Sequence, residues 1–210
     1  MRRLEQEHAL ERERSRIARD MHDELGANLT LISFATKRAQ QDLLEKMPSH
    51  IEKISSITRN TVESLDEIVW AINPRSDNLP ALIKYIGQFA MSFLAACGIE
   101  CKLQLPCNLP KTPLGSNVRH HVFMVVKEAL NNASKYAGAK SVLLKATLEA
   151  NLLRIEVTDD GCGFEENSLR EGSDGLLNIR ERISELNGSC EVRSSPGAGT
   201  QIRIELPIAE

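Results

Sequence analysis

The sequence predicts an α-helical hairpin that pairs with a second copy as a four-helix bundle, followed by an α/β sandwich with a mostly antiparallel sheet. Three observations carry this. Residues 4–72 hold a single glycine, Gly26, and a single proline, Pro48, among many Glu, Arg, Leu, Ile and Ala. Within them Ile51, Ile54, Thr58, Thr61, Leu65, Ile68 and Ile72 recur at alternating gaps of three and four, the seam of a heptad repeat. From Leu79 onward the pattern changes to shorter helical and alternating segments separated by Gly, Pro and Asn turns.

Each element follows in order. Ile17, Met21, Leu25, Leu29 and Ile32 form an apolar stripe on the first helix. Pro48 and Ser49 mark the turn, with Ser49 as N-cap of the second helix. Two helices cannot bury two such stripes alone, so a homodimer is expected. The polar, Pro-broken stretch Asn73–Asn78 reads as a flexible linker, placing the domains at 1–74 and 75–210. Helices are then expected over Leu79–Ala96, Ser116–Tyr136 and Leu176–Leu186, the last stopping at Asn187-Gly188. Strands are expected over Ile99–Leu105, Ser141–Glu149 and Leu152–Asp159, with a turn at Ala150-Asn151 between the last two. Ser189–Ser195 and Thr200–Leu206 complete the sheet as a hairpin around Pro196-Gly197. The helices are expected on one face of the sheet.

Composition narrows the function. The 210 residues are 41% hydrophobic and 26% charged, with net charge −3. No strong field points to nucleic acid or an anionic membrane, and aromatics are too sparse for base-stacking platforms. No apolar run approaches the ~20 residues that span a bilayer, and Met1-Arg2-Arg3 does not open a signal peptide. The segment is expected in the cytoplasm without direct membrane contact, which leaves a membrane-anchored parent open. Five cysteines without a CxxC pair read as reduced, mostly buried thiols. Cys97, Cys101 and Cys107 are close together but match no zinc spacing, and no His lies nearby.

Four clusters carry chemistry. Glu128 and Asn132 are four apart on one helix, with Lys135 and Tyr136 following. A carboxylate and an amide oxygen on one face can ligate Mg2+, although such residues more often form a solvated face. Asp159-Asp160-Gly161-Cys162-Gly163 ends a strand. There a carboxylate can accept from an adenine amino group while glycines admit the base, or the residues can be a plain turn. Gly172 and Gly175-Leu176 precede a helix, whose N-terminus favours phosphate. Pro196-Gly197-Ala198-Gly199-Thr200 adds a glycine turn before the last strand. In this order and spacing the four are far more specific than any one.

With these residues the segment 79–207 resembles the ATP-binding domain shared by gyrase, heat-shock chaperones, mismatch-repair ATPases and histidine kinases. The resemblance implies Mg-ATP binding, with Asn132 and Glu128 as metal residues and Lys135 and Tyr136 near the phosphates. It implies that Asp159 reads adenine, with Gly161 and Gly163 beside it, and that Gly175, Leu176 and Thr200 complete the site. Two departures stand out. Ser173 replaces the first glycine of the family's Gly-x-Gly-Leu lid, and Asp160 stands where Asn is more usual, adding negative charge near the nucleotide.

On the first helix, His22 lies roughly 80° from the centre of the apolar stripe, on the flank. Alone, it is an ordinary surface histidine. Met21-His22-Asp23-Glu24-Leu25-Gly26, with Trp70-Ala71-Ile72-Asn73-Pro74, is similar to sensor histidine kinases of two-component systems that carry a His-Asp pair. The resemblance implies autophosphorylation of His22, with Asp23 as general base, and transfer to an Asp of a response regulator. Ala27 stands where these kinases commonly have Gln or His, so weak or absent phosphatase activity is expected. The alternatives are a conformational ATPase, a serine kinase of the anti-sigma-factor class, and a nucleotide-binding dimer without catalysis.

Overall fold

The computed structural model describes residues 73–165 and 174–208 and, earlier, Leu29, Ile32–Phe34, Thr36, Ile51, Lys53–Ser55, Ile57, Thr58, Thr61, Leu65, Val69 and Trp70. The expectations for His22, Asp23, Ala27, Gly172 and Ser173 lie outside the described residues. The chain divides into two compact units, Met1–Ser76 and Asp77–Glu210.

In the first unit every described residue from Leu29 to Trp70 is helical. The hydroxyls of Thr36, Thr58 and Thr61 each donate to the carbonyl four residues earlier at 2.8 Å, which satisfies them within the helix. The seam positions do not share one environment. Thr61 is buried and Ile54 half-buried, whereas Ile51, Thr58 and Leu65, each a heptad apart, are exposed, as is Val69. Leu29 and Phe34 are also exposed. At its end, Asn73 N–H donates to the Trp70 carbonyl, and Ser76 N–H to that of Asn73, around the 3-10 turn Pro74–Ser76.

The second unit opens with α1 (Leu79–Ala96). Asn78 caps it, its Oδ1 accepting from Ala81 N–H at 3.0 Å, and Pro80 sits in the first turn, where a missing N–H costs nothing. Then come β1 (Glu100–Gln104), α2 (Ser116–Lys135), β2 (Ser141–Glu149), β3 (Leu152–Asp159), α3 (Asp174–Ser184), β4 (Ser189–Ser194) and β5 (Thr200–Pro207). Each described element of this unit lies within two residues of its expected ends. The sheet order is β1-β2-β3-β5-β4. Only β1 and β2 pair in parallel; the other neighbours are antiparallel. Ala150 and Asn151 close the β2–β3 hairpin with φ of 45° and 64°, both positive as the twist of a two-residue turn demands.

Alternation sorts the strand residues into two faces. Val142, Leu144, Ala146, Leu153, Ile155, Val157, Ile202, Ile204 and Leu206 are at most 5% exposed and form the core. Between them run ion pairs, Arg154 Nε to Glu205 Oε1 at 2.7 Å and Arg203 Nε to Glu156 Oε1 at 3.0 Å. α1 covers β1 and β2, α2 packs between α1 and α3 over β3, and α3 lies by β4. α1 is, among the described residues, the helix apolar and long enough to cross a membrane. Its stripe Leu79, Leu82, Ile86, Ala90 and Leu94 is wholly buried, so it is a core helix.

Two expectations are corrected. The stretch 73–78 is not slack along its length. The Asp77 carbonyl accepts from Leu114 N–H, Leu79 N–H donates to the Thr112 carbonyl, and the Asp77 carboxylate pairs with Arg119, which is fully buried. The thiols are not mostly buried either. Cys97, Cys107 and Cys162 are exposed, and Cys101 and Cys190 only half-buried, because the first three stand in surface turns and loops.

Candidate active site

One wall of the site comes from the C-terminal half of α2. Glu128 and Asn132, four apart, share a helix face, and Tyr136 follows as the C-cap. The end of β3 contributes Asp159, the turn after it Gly163, the start of β5 Thr200, and the first turn of α3 Gly175 and Leu176. All eight line one cavity of about 370 Å3, within the range of small-molecule sites.

Asp159 is 8% exposed. Its Oδ1 accepts from Gly161 N–H at 2.9 Å and Thr200 N–H at 3.3 Å, and neither bond uses Oδ2. Burial pushes its carboxyl above the usual range; the two backbone bonds oppose this and the neighbouring Asp160 charge adds to it.

The turn after Asp159 is tied on both sides. Cys162 N–H donates to the Ala137 carbonyl at 2.8 Å, and Gly197 N–H to the Cys162 carbonyl at 2.6 Å. Phe164 N–H donates to Ser194 Oγ, which lies 3.0 Å from both the Gly199 carbonyl and Thr200 Oγ1. Gly163 has φ +60°, and a Cβ there would run into the Ser195 carbonyl. Here the glycine is required by conformation and space together.

The other end is built from side chains. A Cβ on Gly175 would collide with Glu128 Oε1 and come within 3.6 Å of Asn132 Nδ2. The start of α3 therefore lies directly against the Glu128–Asn132 pair, and a helix N-terminus favours anions. The two residues offer carboxylate and amide oxygens, the donor set of a hard cation such as Mg2+.

The structure does not gather every expected residue. Lys135 is exposed and does not line the cavity; the wall passes from Asn132 to Tyr136 and Ala137 as α2 ends. Gly161 backs the site, since a Cβ there would meet Ala137 and Asp159 Oδ1. Asp160 does not line the cavity, although its charge reaches Asp159. Its Oδ1 accepts from Lys140 and Ser141 N–H at 2.8 and 2.9 Å, and these bonds hold its carboxyl below the usual range. Ala129, Ala137, Cys162, Phe164 and Ile202 also line the cavity. Ile202 was within reach of the sequence, two residues beyond Thr200 on the same face of a strand.

Comparison with known proteins agrees with this geometry. Residues 117–210 match the family described as histidine kinase-, DNA gyrase B-, and HSP90-like ATPase, and residues 13–77 match the histidine kinase family. An uncharacterized sensor-like histidine kinase of Chloroflexus aurantiacus is 30% identical over 205 residues, taking in 93% of this chain and 34% of the relative. Sensor histidine kinase LiaS of Bacillus subtilis is 28% identical over 197 residues, 93% of this chain and 54% of the relative. The chain thus spans about a third to a half of these relatives' lengths. The blue-light activated histidine kinase of Erythrobacter litoralis shares the fold, with a TM-score of 0.61 at 18% identity over 95% of this chain and 60% of that one. With a histidine kinase segment followed by an ATP-binding domain, the chain belongs to the sensor histidine kinases of bacterial two-component systems.

Proposed function

We propose that this chain is the catalytic core of its kinase, using Mg-ATP to phosphorylate His22 and passing the phosphoryl group to an Asp of a response regulator. The observation that carries this is one cavity bordered by Asp159 at one end and by Glu128 and Asn132 at the other, in a chain whose residues 13–77 match histidine kinases.

The residues divide the work. Asp159 Oδ2 accepts from the adenine amino group, its partner oxygen being held by Gly161 and Thr200. The apolar Ala129, Phe164 and Ile202 exclude water around the base. Asn132 and Glu128 hold Mg2+, which offsets triphosphate charge when bound. Gly175 and Leu176 bring backbone N–H groups of the α3 N-terminus to the phosphates.

An unprotonated nitrogen of His22 attacks the γ-phosphorus in line. The N–P bond forms, the bond to the ADP oxygen breaks, and Asp23 takes the ring proton. Catalysis is mainly positioning and electrostatics. The exposed Ile51, Leu65 and Val69 support burial of the seam against a second copy, giving the homodimer. We place the segment on the cytoplasmic side of a longer parent, where ATP and response regulators are found. With Ala27 in the usual Gln or His position, the kinase has weak or no phosphatase activity.

The test is incubation with γ-labelled ATP and Mg2+. Wild type gains label, His22→Gln gains none, and Asn132→Ala gains far less. Equal labelling of His22→Gln and wild type refutes the proposal.

A further inference from the structure

The helix that opens at the cavity is also held at its far end. Gly175 lies against Glu128 and Asn132, while Arg182, seven residues on, meets His121, seven residues before Glu128. α2 and α3 therefore run in opposite directions along each other. Seven residues of helix span about 10 Å, so the two contacts match in spacing on both helices. His121, Val125, Glu128 and Asn132 share one face of α2 at intervals of four, three and four, and Gly175, Ile179 and Arg182 share one of α3. Val125 and Ile179, midway between the two contacts, are buried.

His121 is 7% exposed, and its Nδ1 lies 3.3 Å from the Arg182 carbonyl and 3.5 Å from Glu185 Oε2. A carbonyl and a carboxylate both accept, so Nδ1 carries a proton and donates. The last carbonyls of a helix lack donors from within it. In α3 the Glu181 carbonyl accepts from Glu185 N–H, that of Ile183 from Leu186 and Gly188, and that of Ser184 from Asn187. The Arg182 carbonyl takes the imidazole. His121 thus completes the C-terminal cap of α3 from a neighbouring helix.

Packed helices can shift along one another by about 1–2 Å, whereas a hydrogen bond tolerates only a few tenths of an ångström. Backbone N–H groups at the start of α3 must meet phosphate oxygens at about 3 Å, so a slip of the helix would misplace them. We propose that His121 is a positioning residue for the phosphate chain of the nucleotide. By tying the Arg182 carbonyl to α2, it sets how far along α2 the start of α3 stands, and so where Gly175 and Leu176 hold their N–H groups relative to Glu128 and Asn132. The consequence for binding rests on the proposed use of ATP; the cap itself does not.

The test uses the full chain with two substitutions. His121→Phe keeps a ring but removes Nδ1; His121→Asn keeps a donor nitrogen at the same place, two bonds beyond Cβ. Amide hydrogen exchange at Glu185, Leu186 and Gly188 reads the cap. It should be roughly tenfold faster in His121→Phe and within about threefold of wild type in His121→Asn, while amides of β3 and β5 keep their protection. Affinity for a non-hydrolysable ATP analogue with Mg2+ should fall roughly tenfold in His121→Phe and recover to within about threefold in His121→Asn, while affinity for adenosine stays within about twofold in both. Unchanged exchange in His121→Phe would overturn the cap whether or not the chain binds nucleotide. Unchanged analogue affinity, equal loss of analogue and adenosine affinity, or no recovery in a folded His121→Asn would overturn the positioning role, since a merely structural histidine gives no loss confined to the phosphates. Should His121→Phe fail to fold, His121→Leu, which also lacks the donor, takes its place with the same expectations. Wild-type protein that binds no ATP analogue would instead refute the nucleotide site, leaving the exchange data to decide the cap.

Discussion

The two ends of the cavity are built differently. At the Asp159 end, backbone does most of the holding. Asp159 Oδ1 is gripped by two N–H groups, the Cys162 turn is bonded to Ala137 and Gly197, and Gly163 abuts a main-chain carbonyl. At the Glu128 end, two side chains of α2 meet the first turn of α3, and the neighbour of Gly175 is the tip of the Glu128 side chain. A backbone carbonyl cannot move without its strand; a glutamate carboxylate can rotate away. The Asp159 end is therefore preset, and the Glu128 end can adapt.

Four substitutions break or sharpen this contrast, in order of falling effect. Gly163→Ala puts a Cβ against the Ser195 carbonyl at φ +60°. It should lower unfolding free energy in urea by about 3 kcal/mol and abolish nucleotide binding. On the proposed role of Asp159, Asp159→Asn would face the adenine amino group with a competing donor. Calorimetry should find ATP analogue affinity reduced by about 2–3 kcal/mol.

The same variant should be at least as stable as wild type at neutral pH. Burial raises the Asp159 pKa above the 3.8 of an ordinary aspartate. The folded state thus holds its proton more tightly, and stability falls as pH rises from 3.8 through that raised value. The ionised carboxylate is then a net cost to the nucleotide-free protein. Thermal melts should show the advantage of Asp159→Asn vanish below pH 3.8, where both forms are neutral. A less stable variant at neutral pH would refute this.

Gly175→Ala should be the mirror image of Gly163→Ala. Alanine favours the helix, so urea unfolding should move by no more than about 1 kcal/mol. Displacing Glu128 should nonetheless cut autophosphorylation roughly tenfold. Equal destabilisation by the two substitutions would erase the distinction. Ala150→Gly, in the β2–β3 turn, is the distant control. Relief of a positive φ should stabilise by about 0.5–1 kcal/mol without affecting ATP affinity.

What the sequence made legible was local. Asn187-Gly188 and Pro196-Gly197 announced turns, alternation announced strands, and the four-residue interval from Glu128 to Asn132 placed both on one face. Asp159, Gly163 and Thr200 were found through their place in the chain, and β-pairing explains why they converge, since Asp159 and Thr200 are register partners. What stayed hidden depends on distant partners. Asp77 looks like any linker aspartate until Arg119 arrives from α2. Asp160 looks like a residue facing the nucleotide until the amides of Lys140 and Ser141 are seen to bind its carboxylate outside the cavity lining. Lys135 follows the helical face in sequence, but α2 ends there and the wall continues through Tyr136 and Ala137. In the first unit, the heptad gave no sign that Thr61 and Ile54 would face inward while Ile51, Thr58 and Leu65 stay exposed. A second chain, not a second helix, is the proposed cover for these.

The most direct measurement is the site of phosphate attachment after incubation with Mg-ATP. Peptide mapping under alkaline conditions, which preserve phosphohistidine, should place one acid-labile phosphoryl group on His22 in folded, dimeric wild-type protein. Nucleotide bound in the cavity with no phosphoryl group at His22, or with label on another residue, would contradict the account.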